Sequence, residues 1–556
     1  MDDRIRFSWN ALPAGGLFLL LLAGCAANLP PTGTVAGSGG SGGSGGTTPP
    51  ATQTTFYVNC SLASDGDGSQ STPWNSLTDV NGHTFVAGNS LLLARGTTCN
   101  GVLKPQGSGA SGSPIVVDAY GTGNLPIVNG GASSGPAVYL NNQQYWEIND
   151  LEIQGGQNYG VYITGNTDNA PLAHIHLTNL NVHGAFGPST VRADSGEVFI
   201  SAYGAGQTLS DVVVNGVTAH DSNVSEGIYV GAGGSWANNA ATQTLGSNIT
   251  VENSTAHDVY GDGILIVELN TGLLQNNVVY NTGLCPSCGS STPGGLWEWF
   301  CNNCTVQGNE SYANKSWNAY DGGDFDIDYY NNNVTVQYNY GHDSAGYCIA
   351  FFGAESTVTT NSIFRYNVCS NNAQSSSYSD GEIFMNTWDS GTLNGVEIYN
   401  NTFYWNPAQS GNPMFNSWSN FSGTSPNFFE NNIVYGAQPY LVLALPTFTY
   451  DHNLYWVENG ATPQFQWNWQ SYSGLAAYQQ ASGQEANSLF ADPLLNSPTS
   501  HAVGMPTTAF TLQTGSPAIG AGTNVCTGIA NCSMGVQDFF GNPLPVSTGY
   551  NIGAFQ

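Results

Sequence analysis

Carboxylates are concentrated in one short stretch of a chain that carries few charges. Asp and Glu total 37 and Lys and Arg only 7 of 556 residues, yet Asp321, Asp324, Asp326 and Asp328 fall within eight positions. Carboxylates this close repel one another unless a proton, a cation or a ligand compensates. Such a cluster is typical of a functional site rather than of a scaffold.

The residues between these aspartates alternate in a way that predicts a β-strand. Asp324, Asp326 and Asp328 are separated by Phe325 and Ile327, which gives one polar and one apolar face. Burying three charges in a dry core would be very unfavourable. We therefore expect the three carboxylates to point outwards and the two apolar side chains to point into a core.

An internal repeat supplies the neighbours of this strand. Similar segments, rich in Val and Asn and most of them with His or an aromatic residue at or next to the end, recur 23 to 37 residues apart. One unit is too short to bury its own apolar side, so the units must stack on one another. The repeated segments are 176–183, 213–221, 250–258, 273–281, 305–313, 335–343, 363–371, 397–405 and 428–436.

The repeat length and the asparagine-rich turns resemble the right-handed parallel β-helices of the pectate-lyase-like superfamily, in the form found in bacterial exported lipoproteins. The resemblance covers residues 131–455 and implies an all-β, single-stranded solenoid of about ten coils. Stacked asparagines would satisfy backbone groups between coils. Residues 55–130 are predicted to form an N-terminal cap with the first strands, and 456–556 a C-terminal capping segment. This superfold hosts many functions, so it implies the architecture more than the activity.

Aligning the repeats without a gap places Glu298 next to the aspartate strand. With Thr305 matched to Thr335, Asp328 stacks on Glu298, which points out, and Trp297 points in. Directly opposite Cβ atoms lie ~5 Å apart and diagonal ones ~7–8 Å. Retaining glycosidases hold their two carboxyl groups ~5–5.5 Å apart and inverting ones ~6.5–9.5 Å, so both geometries are open.

These positions predict a paired-carboxylate glycoside hydrolase. Glu298 would be the acid/base, and Asp326 or Asp328 the nucleophile or general base; no cofactor is required. A calcium ion held by Asp324, Asp326 and Asp328 is the alternative use of the cluster. In a calcium-dependent, pectate-type polysaccharide lyase, Lys315 would then be the base. A non-catalytic glycan-binding or adhesin-like protein is the third hypothesis.

Further residues are predicted to contact the substrate. His342 precedes Asp343 as in a catalytic dyad, but histidines recur at the same repeat position, which favours a turn feature. Aromatic side chains stack on sugar rings, and Trp388, Trp405 and Trp418 on later coils could extend a cleft. Trp299 and Tyr329 supply further aromatic surface near the acidic strand or, because they fall on the inward register, belong to the core. The predicted substrate-binding residues are Asp324, Lys315, Trp317, Tyr320 and His342.

The N-terminus has the features of an export signal. Arg4 and Arg6 precede a short apolar run, and the sequence Leu-Ala-Gly before Cys25 resembles a lipoprotein signal, with lipid on the Cys25 thiol. Residues 1–25 are therefore predicted to be a lipoprotein signal peptide and 26–54 a Gly/Ser/Pro linker. We expect an exported protein at the bacterial outer membrane or cell surface, or otherwise a secreted one.

Charge and cysteine content narrow the partners and the compartment. A net charge of −30 argues against nucleic acid as a partner and favours neutral sugars as the substrate. We expect a monomer that acts on a polysaccharide. Ten cysteines remain after Cys25, and Cys60–Cys99 and Cys526–Cys532 are plausible disulfides. Zinc-like spacing occurs at Cys285, Cys288, Cys301 and Cys304, where disulfides are favoured over metal.

Overall fold

The predicted parallel β-helix is confirmed. The computed structural model describes residues 54–132, 135–187, 194–231, 244–285, 293–316, 321–375, 381–419, 421, 425–505, 507–529, 532–545 and 549–556. Their strands form three long sheets, and the chain visits sheet 3, sheet 1 and sheet 2 in that order in each coil. Every strand pair is parallel except the last one in sheet 3.

Each sheet is a stack of short strands from successive coils. Sheet 1 contains Thr55–Val58, Ser90–Ala94, Ile115–Tyr120, Trp146–Asn149, Pro171–Thr178, Thr208–Asn215, Ser247–Glu252, Gly272–Gln275, Cys304–Gln307, Thr335–Gln337, Val358–Arg365, Thr392–Tyr399, Phe428–Glu430 and Thr449–Asp451. Sheet 2 contains Thr98–Asn100, Ile127–Gly131, Glu152–Gly155, Asn181–His183, Thr218–His220, Thr255–His257, Val278–Tyr280, Glu310–Tyr312, Tyr340–His342, Val368–Ser370, Thr402–Trp405, Ile433–Gly436, Leu454–Val457 and Leu489–Phe490.

Sheet 3 carries the aspartate strand. It contains Val138–Asn141, Tyr159–Gly165, Gly196–Ala202, Glu226–Gly231, Ile264–Leu269, Leu296–Cys301, Phe325–Ile327, Ile349–Gly353, Ile383–Thr387, Phe415–Trp418, Tyr440–Ala444, Gln464–Trp467 and Gln470–Ser473. Two α-helices, Leu77–Gly82 and Leu475–Ser482, and two short 3-10 helices, Glu458–Gly460 and Thr508–Phe510, complete the elements. No helix in the described ranges has the length and apolarity needed to cross a bilayer.

The core runs along the inside of the three sheets. Aliphatic and aromatic side chains at equivalent positions stack from coil to coil, as Ile264, Leu296, Phe325 and Ile349 do in sheet 3. Because a single coil has no second layer, each coil depends on its neighbours for burial.

The C-terminal segment has two parts. The helix Leu475–Ser482 packs Leu475 and Tyr478 on the end of the core. The following residues run back along the outside of sheet 2, where Phe510 and Ile552 pack against Tyr340. The predicted capping therefore comes from the first part, whereas the second part covers a sheet face.

Buried asparagines bond each coil to the next. They occupy the two-residue turns between sheet 1 and sheet 2, and each side-chain Oδ1 accepts the backbone N–H of the asparagine one coil earlier at 2.9 Å. The Nδ2 groups donate to carbonyls of the preceding coil, as Asn339 does to Val306 at 3.0 Å. The predicted asparagine stacking is thus confirmed, in a ladder of Asn277, Asn309, Asn339, Asn367, Asn401, Asn432 and Asn453.

Disulfides form as predicted at Cys60–Cys99 and Cys526–Cys532. Cys301 and Cys304 are bonded to each other and Cys285 is also in a disulfide, which confirms the favoured alternative for these three; Cys288 lies outside the described residues. Cys348–Cys369 is a further bridge that was not predicted as a pair.

The ladder yields a stability prediction. Asn339→Ala leaves the Asn309 N–H and the Val306 carbonyl without their side-chain partner, and each unpaired buried group costs about 1–3 kcal/mol. We expect the midpoint of urea unfolding, followed by tryptophan fluorescence, to fall clearly. Asn332→Ala is the matched control, since Asn332 is exposed and accepts only exposed side-chain bonds in sheet 1. Equal losses in the two variants would contradict the role of the ladder.

Candidate active site on the outer face of sheet 3

The longest connections of the coils lead into sheet 3. Two residues suffice between sheet 1 and sheet 2, as with Tyr338 and Asn339, whereas the chain from sheet 2 to sheet 3 runs through 281–295 before Leu296–Cys301 and through 313–324 before Phe325–Ile327. Long loops on a rigid scaffold commonly carry function. The aspartate-rich strand therefore follows one of the long connections of the β-helix.

The pairing of this strand differs from the prediction by one residue. Phe325 pairs with Leu296, Asp326 with Trp297 and Ile327 with Glu298. The predicted offset of thirty returns only at the bridge between Asn302 and Asn332, so the later coil has one extra residue after Ile327. The gapless alignment missed this residue, and a slip of one position moves every side chain to the other face.

Glu298 consequently points into the core, not outwards as predicted. Its register partners are Ile266 and Ile327, both core residues, and it is fully buried. Asn331 Nδ2 donates to Oε1 at 3.4 Å, while Oε2 has no hydrogen-bond partner among the described residues. Burial, followed by the charge of Asp328, raises the pKa of Glu298 well above its ordinary value. The predicted stacking of Glu298 on Asp328 and the inward position of Trp297 were both wrong.

Asp324 also points inwards, because it precedes the strand at the corner between sheets 2 and 3. It is fully buried and accepts hydrogen bonds from Asn314 Nδ2 at 3.1 Å and Ser344 Oγ at 2.6 Å. Burial raises its pKa well above the ordinary value, although the Ser344 bond opposes this. Asp324 thus cannot share a calcium ion with the outward Asp326 and Asp328, and the predicted calcium set and the substrate contact of Asp324 are corrected.

Three carboxylates do meet on the outer face. The Tyr347 hydroxyl lies 3.2 Å from Asp326 Oδ2 and 3.2 Å from Asp321 Oδ1, so it joins the two. Asp328 lies two residues beyond Asp326 on the same face, and the Tyr329 N–H donates to its Oδ1 at 2.8 Å. Asp321, Asp326 and Asp328 are called the carboxylate cluster below.

Asp326 is at the centre of the carboxylate cluster. Its Oδ1 is enclosed and has no hydrogen-bond partner within the described ranges. Burial, and then the charges of Asp328 and Asp321, raise its pKa well above the ordinary value. A carboxyl group in such surroundings stays protonated at pH values where a solvated aspartate is ionised.

Aromatic side chains border the carboxylate cluster. Trp297 is the register partner of Asp326 and donates its indole N–H to Asp262 Oδ1 at 3.1 Å. Tyr329 contacts Trp299 and Trp388, with ring centroids 5.6 and 5.7 Å apart. Trp388 is 38% exposed and so presents a ring edge that a ligand can reach.

The other predicted site residues are dispersed. Lys315 is exposed and forms no ion pair with a described residue. Trp317 and Tyr320 lie outside the described residues, as does the side chain of Trp418. Trp405 belongs to the core, where its indole N–H donates to the Asn412 carbonyl.

His342 lies on sheet 2 instead. It is fully buried and continues a stack of rings formed by His183, His220, His257, Tyr280 and Tyr312, with adjacent centroids 4.5 to 5.0 Å apart. Its Nδ1 pairs with Asp343 and its Nε2 with Glu310. His342 is therefore a repeated structural position, as expected, but it belongs to a strand of sheet 2 and not to a turn. Its position on sheet 2 under the C-terminal segment corrects the predicted substrate contact.

Sequence reasoning missed two residues that shape the site. Tyr347 was not considered, although it precedes the next strand of sheet 3, Ile349–Gly353, by two residues. Asp262 likewise precedes a strand of sheet 3 by two residues, and that strand, Ile264–Leu269, lies two coils before the aspartate strand. The signal that would have found both is a polar residue in the last positions of a long connection into sheet 3.

Comparison with known proteins finds a curated relative that is similar in sequence. No protein-family model matches the chain. Lacto-N-biosidase of Bifidobacterium longum subsp. longum is 24% identical over 505 residues, covering 73% of this chain and 30% of the relative, so the chain spans under a third of the length of this curated relative.

A solved structure has a similar fold. The native GH136 lacto-N-biosidase from Eubacterium ramulus superposes with a TM-score of 0.52 at 20% identity, over 67% of each chain. Its selenomethionine derivative gives the same TM-score at 21% identity. These structural likenesses agree with the expected β-helix fold.

The raised pKa of Asp326 has a consequence for stability. An acid whose pKa is higher in the folded state than in the unfolded state contributes nothing at pH values below both, and lowers stability as the pH rises from about 4 through the folded value. Asp326→Asn removes this penalty, so we expect its thermal midpoint to exceed that of the wild type by ~1–3 °C at pH 7. The gain should vanish near pH 3.5.

The control for this measurement is Asp389→Asn, the same chemical change at an exposed position. Scanning calorimetry between pH 3.5 and 8 compares the three proteins. A gain for Asp326→Asn that is constant over this range would contradict a proton held by the carboxylate cluster.

Proposed function

We propose that this protein is a glycoside hydrolase whose chemistry takes place at the carboxylate cluster on the outer face of sheet 3. The observation that carries the proposal is that Asp321, Asp326 and Asp328 lie close together beside Trp297, with the enclosed carboxyl group of Asp326 near the other two. Similarity to lacto-N-biosidases supports the reaction class.

The cluster contains the two forms of carboxyl group that glycoside hydrolysis needs. One carboxylic acid must protonate the leaving oxygen, and one carboxylate must attack the sugar or activate water. Of two neighbouring carboxyl groups, one is protonated and the other ionised when their surroundings give them different pKa values. Burial and the charges of Asp328 and Asp321 raise the pKa of Asp326, which makes Asp326 the candidate acid, and Asp321 and Asp328 are the candidates for the carboxylate role.

The spacing of one pair is compatible with a retaining reaction. One carboxylate oxygen of Asp321 and one of Asp326 each lie 3.2 Å from the Tyr347 hydroxyl, so these two oxygens are no farther apart than twice that distance. This limit admits the ~5–5.5 Å between the carboxyl groups of retaining enzymes. Asp326 and Asp328 are two residues apart on an extended segment, ~7 Å at Cβ, and form the second candidate pair.

Neutral glycans suit the electrostatics of the site. Three carboxylates and a net charge of −30 would repel a uronate chain. We propose a neutral polysaccharide or oligosaccharide substrate, and glycosides of lacto-N-biose, the sugar for which the relatives are named, are the first compounds to test.

The lyase alternative has less support. Asp324 faces the core and cannot complete a calcium site with Asp326 and Asp328, and Lys315 has no carboxylate partner among the described residues. A glycan-binding protein without activity differs from the proposed hydrolase by its failure to cleave any glycan that it binds.

We also propose that the chain is exported and held at a bacterial membrane through lipid on Cys25. The short apolar run and the Leu-Ala-Gly-Cys sequence support this. The linker from 26 to 54 would then let the β-helix reach glycans away from the membrane surface.

Activity measurements separate the cluster from the inward acids. We expect the wild type to release sugar from a panel of neutral glycans and aryl glycosides. Asp321→Asn, Asp326→Asn and Asp328→Asn should each lower kcat if that residue acts on the sugar, by about 10²–10⁴-fold for the acid/base. Azide rescue and the anomeric form of the product then assign the nucleophile.

Glu298→Gln is the matched control, because it removes a carboxylate one strand away on the other face of the same sheet. This variant also tests the acid/base role that the sequence predicted for Glu298. Because Glu298 faces the core, we expect the kcat of Glu298→Gln to be close to that of the wild type. If Glu298→Gln abolished cleavage while the three aspartate variants retained it, the proposed cluster would be wrong, and a wild type inactive on the whole panel would remove the hydrolase proposal.

The anchor is tested in a bacterial host. Cys25→Ser should transfer the protein from the detergent-extractable membrane fraction to the soluble fraction, since the residue would lose its lipid. Mass spectrometry of the wild-type N-terminus should find a lipid-modified Cys25. Unchanged fractionation of the variant would contradict the anchor.

A further inference from the structure

Two histidines and two carboxylates meet on the outer face of sheet 1, away from the carboxylate cluster. They come from three adjacent strands: Glu147 from Trp146–Asn149, His174 and His176 from Pro171–Thr178, and Asp211 from Thr208–Asn215. The glycoside hydrolase proposal uses none of them.

The parallel register fixes these side chains next to one another. His176 is the direct Cα partner of Glu147. His174 has a φ of 56° and Asp211 a φ of 54°, and the regular pairing resumes after both at Ile175 and Val212. The left-handed conformation of both residues changes the direction of their side chains, and here the imidazole of His174 lies against the carboxylate of Asp211.

The donor atoms are close enough to share one ion. His174 Nδ1 lies 2.7 Å from Asp211 Oδ2, His174 Nε2 lies 3.0 Å from Glu147 Oε1, and His176 Nε2 lies 3.1 Å from Asp211 Oδ1. Donor atoms of Glu147, His174 and His176 all lie within 4.8 Å of one another. Ligands 2.0–2.2 Å from a tetrahedral zinc ion are ~3.4 Å apart, so small rotations of these side chains would enclose a metal.

The residue at the left-handed position of sheet 1 differs here from the residue found in other coils. Asparagine takes the left-handed position in other coils of sheet 1, at Asn248, Asn303, Asn333 and Asn361. Asparagine tolerates this conformation readily, so the backbone does not call for His174. The side chains are 20% exposed for His174, 25% for His176 and 30% for Glu147, which leaves a path for an ion.

We propose that Glu147, His174 and His176 form a binding site for a zinc-like divalent transition metal. Asp211 accepts from the ring nitrogen of His174 opposite Glu147 and would orient the imidazole as an outer-shell partner. Imidazole nitrogens with carboxylate oxygens suit Zn²⁺, whereas Ca²⁺ takes oxygen ligands alone. The ion would join two successive coils near the N-terminal end of the β-helix, and because it would bind only the folded chain it would stabilise the fold.

The test is titration calorimetry of the full chain, produced without an affinity tag and stripped of metal. We expect Zn²⁺ to bind with a stoichiometry of one and to raise the thermal midpoint, Co²⁺ to give the visible absorption of a tetrahedral complex, and Ca²⁺ to give neither. His174→Asn and Asp211→Asn should keep the fold, because asparagine occupies this position in other coils. His174→Asn should weaken Zn²⁺ binding by more than ~100-fold, and Asp211→Asn by ~10–100-fold, as the loss of an outer-shell partner does.

His220→Asn is the matched control. His220 is a similarly exposed histidine that pairs with a carboxylate, Asp221, but lies on sheet 2. Its variant should bind Zn²⁺ like the wild type. No binding by the wild type, or equal binding by the wild type and His174→Asn, would overturn the proposal. The side chains would then form a hydrogen-bonded network without a metal.

Discussion

The register of the parallel strands is the constraint on which the rest of the structure depends. Each coil is one layer thick, so backbone bonds to the coils before and after it, together with the buried asparagine ladder, are its main source of order. Register decides which side chains enter the core and which reach solvent. In sheet 3 it turns Asp326 outwards and Glu298 inwards, although both belong to an acidic stretch of sequence.

The carboxylate cluster is held at a cost to stability. Asp326 is enclosed between like charges, and its protonated form is favoured for that reason. Sites with this property are common where a protein must keep an acid at neutral pH. Burial also raises the pKa of the inward acids Asp324 and Glu298, but these two lie on the core side, where Asn314, Ser344 and Asn331 donate hydrogen bonds to them. The same residue type thus serves the scaffold on one side of the sheet and the candidate chemistry on the other.

The sequence was sufficient for the architecture and insufficient for the site. The repeat predicted the parallel β-helix and the asparagine stacking, because both depend on features that recur in every coil. It also identified His342 as a repeated position, and the ring stack of sheet 2 explains why. The acidic strand was found, but its partners were assigned through an alignment that could not detect one extra residue between Ile327 and Asn332. Tyr347 was missed because a single tyrosine in a loop carries no periodic signal.

Substrate binding on the outer face of sheet 3 can be tested by a crystal structure of the protein with a bound oligosaccharide. We expect a sugar ring within hydrogen-bond distance of the carboxylates of Asp321, Asp326 and Asp328, with an aromatic ring such as Trp388 beside it. A sugar bound along sheet 1 or sheet 2, with the carboxylate cluster untouched, would contradict it.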